Sequence, residues 1–307
     1  VHSESDARAP DLGAEVPMPH AALLLVWLLL TGLCGLAAEV VLGRRMQLHL
    51  GSSGASQAVA LATFLGGLAL GAALAAQCLR EGHQVLGLAR GSQPALVGLA
   101  ATQHATLVQW PVDLANPGPV AAQLAAWLAA RPRQATAGAT LINNAALVTR
   151  PGPAAETDLE EIAQALRVGL EATVVLTAAF LHATRGWAGP RKVLNISSGL
   201  GRRAMAGSAV YCAAKAGVDH FSRALALEEA ALPNGAKVVS LAPGVIDTDM
   251  QVQLRNADPA AFPESERFIQ MKAQAQLDSP EAAAIKVLKF LDRPEFGQDP
   301  IGDVRSL

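Results

Sequence analysis

From residue 72 onward, short apolar runs of strand length alternate with longer segments of helical period, and few folds accept that order. Ala72 to Glu81 reads as a helix stopped by Gly82, and Gln84 to Ala89 as a buried strand. Ala105 to Trp110 is strand-like, Val120 to Ala130 helical, Thr140 to Ile142 strand-like and Leu159 to Thr184 helical. Lys192 to Ile196 is the next strand, a helix enters near Ser208, and Lys237 to Leu241 is strand-like again. Ile246 to Gln276 reads as a long irregular or helical cover, and Pro280 to Asp292 as a last helix. Such alternation predicts an α/β domain with a parallel, doubly wound sheet and helices on both faces.

Composition narrows the functions open to the chain. Twenty-four basic residues stand against 26 acidic ones with no basic run, so nucleic-acid binding has no electrostatic support. The three cysteines, Cys34, Cys78 and Cys212, lack Cys-x-x-Cys spacing, and the seven histidines are dispersed, which argues against a disulfide framework or a metal site. The apolar excess lies before residue 80. Residues 1–20 are polar and Pro-containing, a pattern expected of a disordered tail. Ala21 to Ala38 is 18 residues without a charge, long enough to cross a membrane, and ends at Glu39 and Arg44-Arg45. After the Gly/Ser stretch Gly51 to Ser56 comes a second uncharged run, Ala58 to Ala76. The division expected is a tail over 1–20, an apolar segment open to a transmembrane reading over 21–57, and the α/β domain over 58–307.

The chemistry concentrates between Val193 and Lys215, V-L-N-I-S-S-G-L-G-R-R-A-M-A-G-S-A-V-Y-C-A-A-K. Tyr211, the only tyrosine, and Lys215 are four apart and share one helix face. A phenol, ordinarily with a pKa near ~10, is expected to become more acidic beside an ammonium group. Ser198 is delivered from the end of the preceding strand. This segment resembles the active-site stretch of the short-chain dehydrogenase/reductase family, with its Asn-x-Ser-Ser strand end and Tyr-x-x-x-Lys helix. The resemblance implies a Rossmann-type fold, Ser198, Tyr211 and Lys215 as catalytic residues, and a nicotinamide cofactor held in part by Tyr211 and Lys215.

The family's cofactor pattern can be followed along the chain. Its Thr-Gly-x-x-x-Gly-x-Gly loop, counted back from the second strand, falls on Phe64 to Gly71, where only Gly71 keeps its place; Leu65 and Ala69 occupy the other two glycine positions. Val59 to Phe64 would be the first strand. Arg90, just past the second strand, sits where the family places a cation for the 2′-phosphate of NADP, implying NADPH. Asp113-Leu114 corresponds to the pair that contacts adenine, and Asn144-Ala145, within Asn143-Asn144-Ala145-Ala146, to the cofactor floor. Pro243, Gly244, Ile246 and Thr248 correspond to the loop that packs on the nicotinamide, while Asp247 and Asp249 read as helix caps. The Asn that the family carries in its long helix is replaced by Gly169, which implies a slower proton relay to the lysine.

Two stretches resemble the branch of sepiapterin and benzil reductases: A-P-G-V-I-D-T-D-M-Q over 242–251, and F-G-Q-D-P-I-G-D over 296–303, where Asp303 falls at a substrate-anchoring acid. The branch implies NADPH-dependent reduction of a ketone or vicinal dicarbonyl, with Ser198 and Asp303 on a small-molecule substrate and a homo-oligomer. Residues 21–76 resemble instead the first membrane hairpin of integral-membrane spermidine-synthase-like proteins, through T-G-L-C-G-L-A-A-E-V-V, H-L-G-S-S-G-A-S and A-T-F-L-G-G-L-A-L-G. No aminopropyltransferase domain follows. Over 58–76 the hairpin and the first strand with its glycine loop claim the same residues. The need for NADPH implies a cytoplasmic reductase domain, with membrane attachment through 21–76 left open. The altered glycine loop also leaves a second reading, a membrane-attached Rossmann-like domain that does not catalyse.

Overall fold

The computed structural model describes residues 59–64, 68–131 and 138–306. Seven strands form one parallel sheet: β1 (Val59–Phe64), β2 (Gln84–Ala89), β3 (Leu107–Pro111), β4 (Ala139–Asn143), β5 (Arg191–Ile196), β6 (Lys237–Ala242) and β7 (Ile301–Asp303). Their spatial order is β3-β2-β1-β4-β5-β6-β7, so the direction of winding reverses between β1 and β4. This is the doubly wound arrangement expected, and ligands of such sheets bind beyond the strands' carboxyl ends at that reversal.

The helices are α1 (Leu68–Arg80), α2 (Pro94–Gln103), α3 (Pro117–Ala129), α4 (Leu159–Leu166), α5 (Ala172–Thr184), α6 (Ala209–Ala230), α7 (Asp249–Arg255), α8 (Ser265–Ala273) and α9 (Pro280–Leu291). Alternate residues of each strand face opposite layers. Ile142, Leu194, Ile196, Val239 and Leu241 pack with α1, α2 and α9. Leu86, Leu88, Leu141, Val193 and Val238 pack with α3, α5 and part of α6 around Phe180 and Trp187. Strands buried on both faces read as continuous apolar runs, which is why the periodicity exposed them.

Several expectations are corrected here. Over the second uncharged run, where a membrane span and the first strand compete, the expected strand Val59 to Phe64 is the one found. The run's first half is β1, paired in register with β2 and β4, and its second half is α1, whose Leu70, Leu74 and Leu79 are core residues. A central strand followed by a helix of small and apolar residues has the composition of a membrane helix, since a sheet interior and a bilayer select the same side chains. The membrane-hairpin resemblance therefore fails over 59–64 and 68–76; its remainder, the tail over 1–20 and the glycine positions 65–67 lie outside the described residues. Among those described, the one helical stretch long and apolar enough to cross a membrane is Leu159–Thr184, and half of it is buried inside the domain.

That stretch is also not one regular helix. A π-helical turn over Arg167–Glu171 separates α4 from α5, with Gly169 buried within it. Such single-turn insertions concentrate near functional sites. The expected cover over 246–276 resolves into α7 and α8, and α2 and β7 were not anticipated. Asp247 is not a helix cap: it pairs with Lys272 and Arg255, tying α8 to α7, while Thr248 takes the N-cap position and Asp249 the first turn.

Candidate active site

β5 carries its serines past the sheet edge. Asn195 locks the strand end, its amide donating to Ser222 Oγ of α6 at 2.9 Å and its carbonyl oxygen accepting from Asn143 at 2.8 Å. Beyond it, Ser198 caps a 3₁₀ turn over Gly199–Gly201, its hydroxyl accepting from the Leu200 N–H at 3.2 Å. α6 then brings Tyr211 and Lys215 under the same opening, with the Ser198 hydroxyl close enough to the Tyr211 phenol to favour its ionised form. Lys215 is buried, its Nζ donates to the Ile196 carbonyl at 2.7 Å, and it lies 5.7 Å from the centre of the Tyr211 ring. Gly201 is required for this approach: a Cβ there would come 2.9 Å from the Lys215 carbonyl oxygen.

The electrostatics depart from the expectation. The Tyr211 phenol is not made more acidic; burial pushes it up to about 12, against the opposing pull of the Ser198 hydroxyl. Lys215 is pushed down to about 8 by burial, opposed by the carboxylate of Asp219. In each group the loss of solvation outweighs the opposing influence, the Ser198 hydroxyl for Tyr211 and the Asp219 carboxylate for Lys215. The geometry suits a tyrosine that stays protonated through the neutral range and can give its proton away.

Above the floor opens a cleft of about 260 Å³. Ser198, Tyr211 and Lys215 line it together with Asn144, Pro243, Gly244, Ile246 and Thr248. Gly244 adopts φ +84, a conformation natural to glycine, as the 243–248 loop turns over the end of β6. The opposite wall is apolar: Met205, Leu254 and Phe268, with Leu200, Met250 and Met271 packed against them.

Five expected cofactor residues lie outside that lining. Gly71 falls in the first turn of α1, with its neighbour Leu70 on the cleft. Arg90 follows β2, exposed and without a hydrogen-bonded or ionic partner among the described residues. Asp113 follows β3, with Oδ1 accepting from the Ala115 N–H at 2.9 Å. Leu114 and Ala145 are buried in the core. Arg90, Asp113 and Leu114 thus string out along the carboxyl ends of β2 and β3, away from the tyrosine. Asp303 ends β7 and does not line the cleft; its carboxylate accepts from Arg305 Nε at 2.8 Å, and it is Arg305 that lines it. Sequence reasoning missed the methionine-rich wall and the arginines of the lining, Arg203, Arg267 and Arg305, because α7, α8 and the chain end meet only in the fold.

Behind the lysine runs a polar network. Asp219, four residues on along α6, accepts from Ser240 Oγ at 2.6 Å and from Arg202 Nε at 3.1 Å, and Arg202 Nη2 donates to the Gly302 carbonyl at 2.9 Å. It joins α6, β6, β7 and the loop after Ser198 in one cluster.

Known proteins share this architecture. A family model described as short chain dehydrogenase matches residues 61–259. A benzil reductase ((S)-benzoin forming) of Bacillus cereus is 32% identical over 232 residues, spanning 76% of this chain and 93% of that protein. A sepiapterin reductase of Bos taurus is 32% identical over 142 residues, 46% of this chain and 51% of that one. A crystal structure of a short-chain dehydrogenase/reductase from Burkholderia vietnamiensis, 31% identical, covers 82% of this chain and 99% of its own with a TM-score of 0.52. A serine, a tyrosine and a lysine meeting beneath a cleft at the sheet's reversal, and relatives aligned along most of the domain, make the chain a member of the short-chain dehydrogenase/reductase family, an NAD(P)-dependent oxidoreductase.

Proposed function

We propose that the chain is an NADPH-dependent carbonyl reductase acting on a ketone or vicinal dicarbonyl. The observation that carries this reading is that Ser198, Tyr211 and the buried Lys215 line one cleft with an apolar wall. A proton donor, an oxygen-binding hydroxyl and an apolar seat for the carbonyl's substituents are what the reduction needs.

Features of the chain fit a nicotinamide dinucleotide. The Ser197 hydroxyl and the Gln251 side-chain oxygen are buried without partners, and both residues line the cleft. The Thr248 hydroxyl makes only a long 3.5 Å contact with the Ile246 carbonyl, which leaves it available to a ligand. Arg90 offers an uncommitted guanidinium where a 2′-phosphate would lie, and this supports NADPH over NADH. Asn144 and Ala145 would form the floor beneath the ring, Asp113 and the Leu114 backbone would meet the adenine, and Gly71 would face the phosphates from the first turn of α1.

When bound, the cofactor supplies the hydride. Ser198 hydrogen-bonds the substrate oxygen and fixes which face of the carbonyl is offered. Tyr211 donates its proton to that oxygen, becoming phenolate. Lys215, held by the Ile196 carbonyl, compensates the phenolate charge and is placed to meet the nicotinamide ribose. Positioned proton transfer of this kind contributes roughly 10²–10⁴-fold. Asp303 acts on the substrate through Arg305, which it orients. Leu159 of α4 and Leu227 of α6 are 82% and 76% exposed, and we take them as contacts of a homo-oligomer.

Titrating NADPH into the 307-residue chain and then adding a vicinal diketone tests the proposal. Saturable binding followed by NADPH oxidation is expected. Absence of saturable binding would select the non-catalytic reading.

A further inference from the structure

The reductase reading leaves the substrate's polarity open, and the lining of the cleft speaks to it. Among the described residues its charged side chains are Lys215, Arg203, Arg267 and Arg305, with no aspartate or glutamate. Two of the arginines are already matched by acids. Arg267 Nη1 lies 3.4 Å from Glu264, and Arg305 is held by Asp303. Arg203 differs: among the described residues its exposed side chain has no hydrogen-bonded or ionic partner. It sits in the loop that leaves Ser198, anchored by its own N–H donating to the Gly199 carbonyl at 3.1 Å. The adjacent Arg202 is committed to Asp219 and the Gly302 carbonyl. One arginine of the pair holds the fold, and the other is left over at the cleft.

We infer that the carbonyl substrate carries an anionic group, in its simplest form a carboxylate, seated on Arg203 while an apolar body lies against Met205, Met250, Leu254, Phe268 and Met271. The inference rests on the reductase reading and specifies its substrate class. A guanidinium fork matches a carboxylate with two parallel hydrogen bonds, and an apolar flank makes that pairing stronger than it would be in open water. Arg267 and Arg305, each neutralised by its own acid, orient the group without competing for it. The reaction balances as an oxo acid plus NADPH plus a proton giving a hydroxy acid plus NADP⁺. The hydride adds to the carbonyl carbon, the proton from Tyr211 to its oxygen, and the carboxylate is unchanged.

The test compares phenylglyoxylate with its methyl ester, two substrates with the same ketone that differ in charge, using the 307-residue chain and NADPH. The native protein is expected to favour the anion by at least about tenfold in kcat/KM, the scale of a charge-assisted hydrogen bond. Arg203→Gln is expected to reduce that preference by roughly tenfold, chiefly through a higher KM for the anion. Raising the ionic strength is expected to weaken the anion's KM and not the ester's. If the ester is reduced as well as the anion, or if Arg203→Gln lowers both equally, the inference is overturned while the reductase reading stands. If neither compound nor a neutral diketone is reduced, both fall together.

Discussion

Tyr211 and Lys215 are each displaced from their ordinary pKa by burial, in opposite directions, and the direction chosen by each suits reduction. A phenol near 12 is fully protonated at neutral pH, and an ammonium near 8 is still mostly charged there. Removing the proton source should be severe: Tyr211→Phe is expected to lower kcat by roughly 10²–10⁴-fold in a ketone-reduction assay. The lysine sets the alkaline limit. As pH rises through about 8, Lys215 loses its charge, the developing phenolate loses its compensation, and the reduction rate falls. A rate constant flat from pH 7 to about 10 would contradict that role. The serine, tyrosine and lysine were legible because strand end and helix lie within one stretch of chain, so local periodicity places them together. Their acidities were not, since desolvation depends on walls contributed by segments far away.

At the scale of elements, the loop after β5, α6 and β7 are joined through one buried carboxylate. Asp219 is 1% exposed, binds Arg202 and Ser240, and opposes the desolvation of Lys215. Asp219→Asn leaves Arg202 only the more distant Asp303 carboxylate, 4.0 Å away, and should cost about 1–3 kcal/mol, read as a fall in Tm of several degrees. The same substitution removes a negative charge that favours the lysine ammonium, so the alkaline limb of the pH profile should move to lower pH. A lower Tm with an unmoved limb would make Asp219 structural only. β7 is three residues long and docks by close approach: a Cβ on Gly302 would lie 2.5 Å from the Phe290 ring. Gly302→Ala is therefore expected to destabilise by about 1–3 kcal/mol in denaturant unfolding. So short an edge strand gives no periodicity to read, and the π turn at Arg167–Glu171 is equally silent because an extra residue in a helix barely disturbs its apolar pattern. The opposite difficulty arises at β1 and α1, where the sequence leaves two readings open. There the pattern was strong but shared by two environments, membrane and sheet interior, and only pairing with β2 and β4 distinguishes them.

For the whole molecule, residues 56–307 form one compact unit with a layer of core on each face of the sheet. That segment expressed alone is expected to unfold cooperatively and to bind NADPH with the Kd of the full chain; an aggregated product would show that the fold depends on what precedes it. Exposed leucines on α4 and α6 predict a larger assembly, and Leu227→Lys should shift its mass downward in light scattering. In the reaction proposed, Tyr211 gives a proton to a substrate carbonyl as NADPH gives the hydride. The most direct test follows NADPH consumption spectrophotometrically with a vicinal diketone, for the native chain and for Tyr211→Phe side by side. Saturable turnover in the first and its loss by at least about a hundredfold in the second is the result predicted; equal rates in the two proteins, or none in the native one, would contradict it.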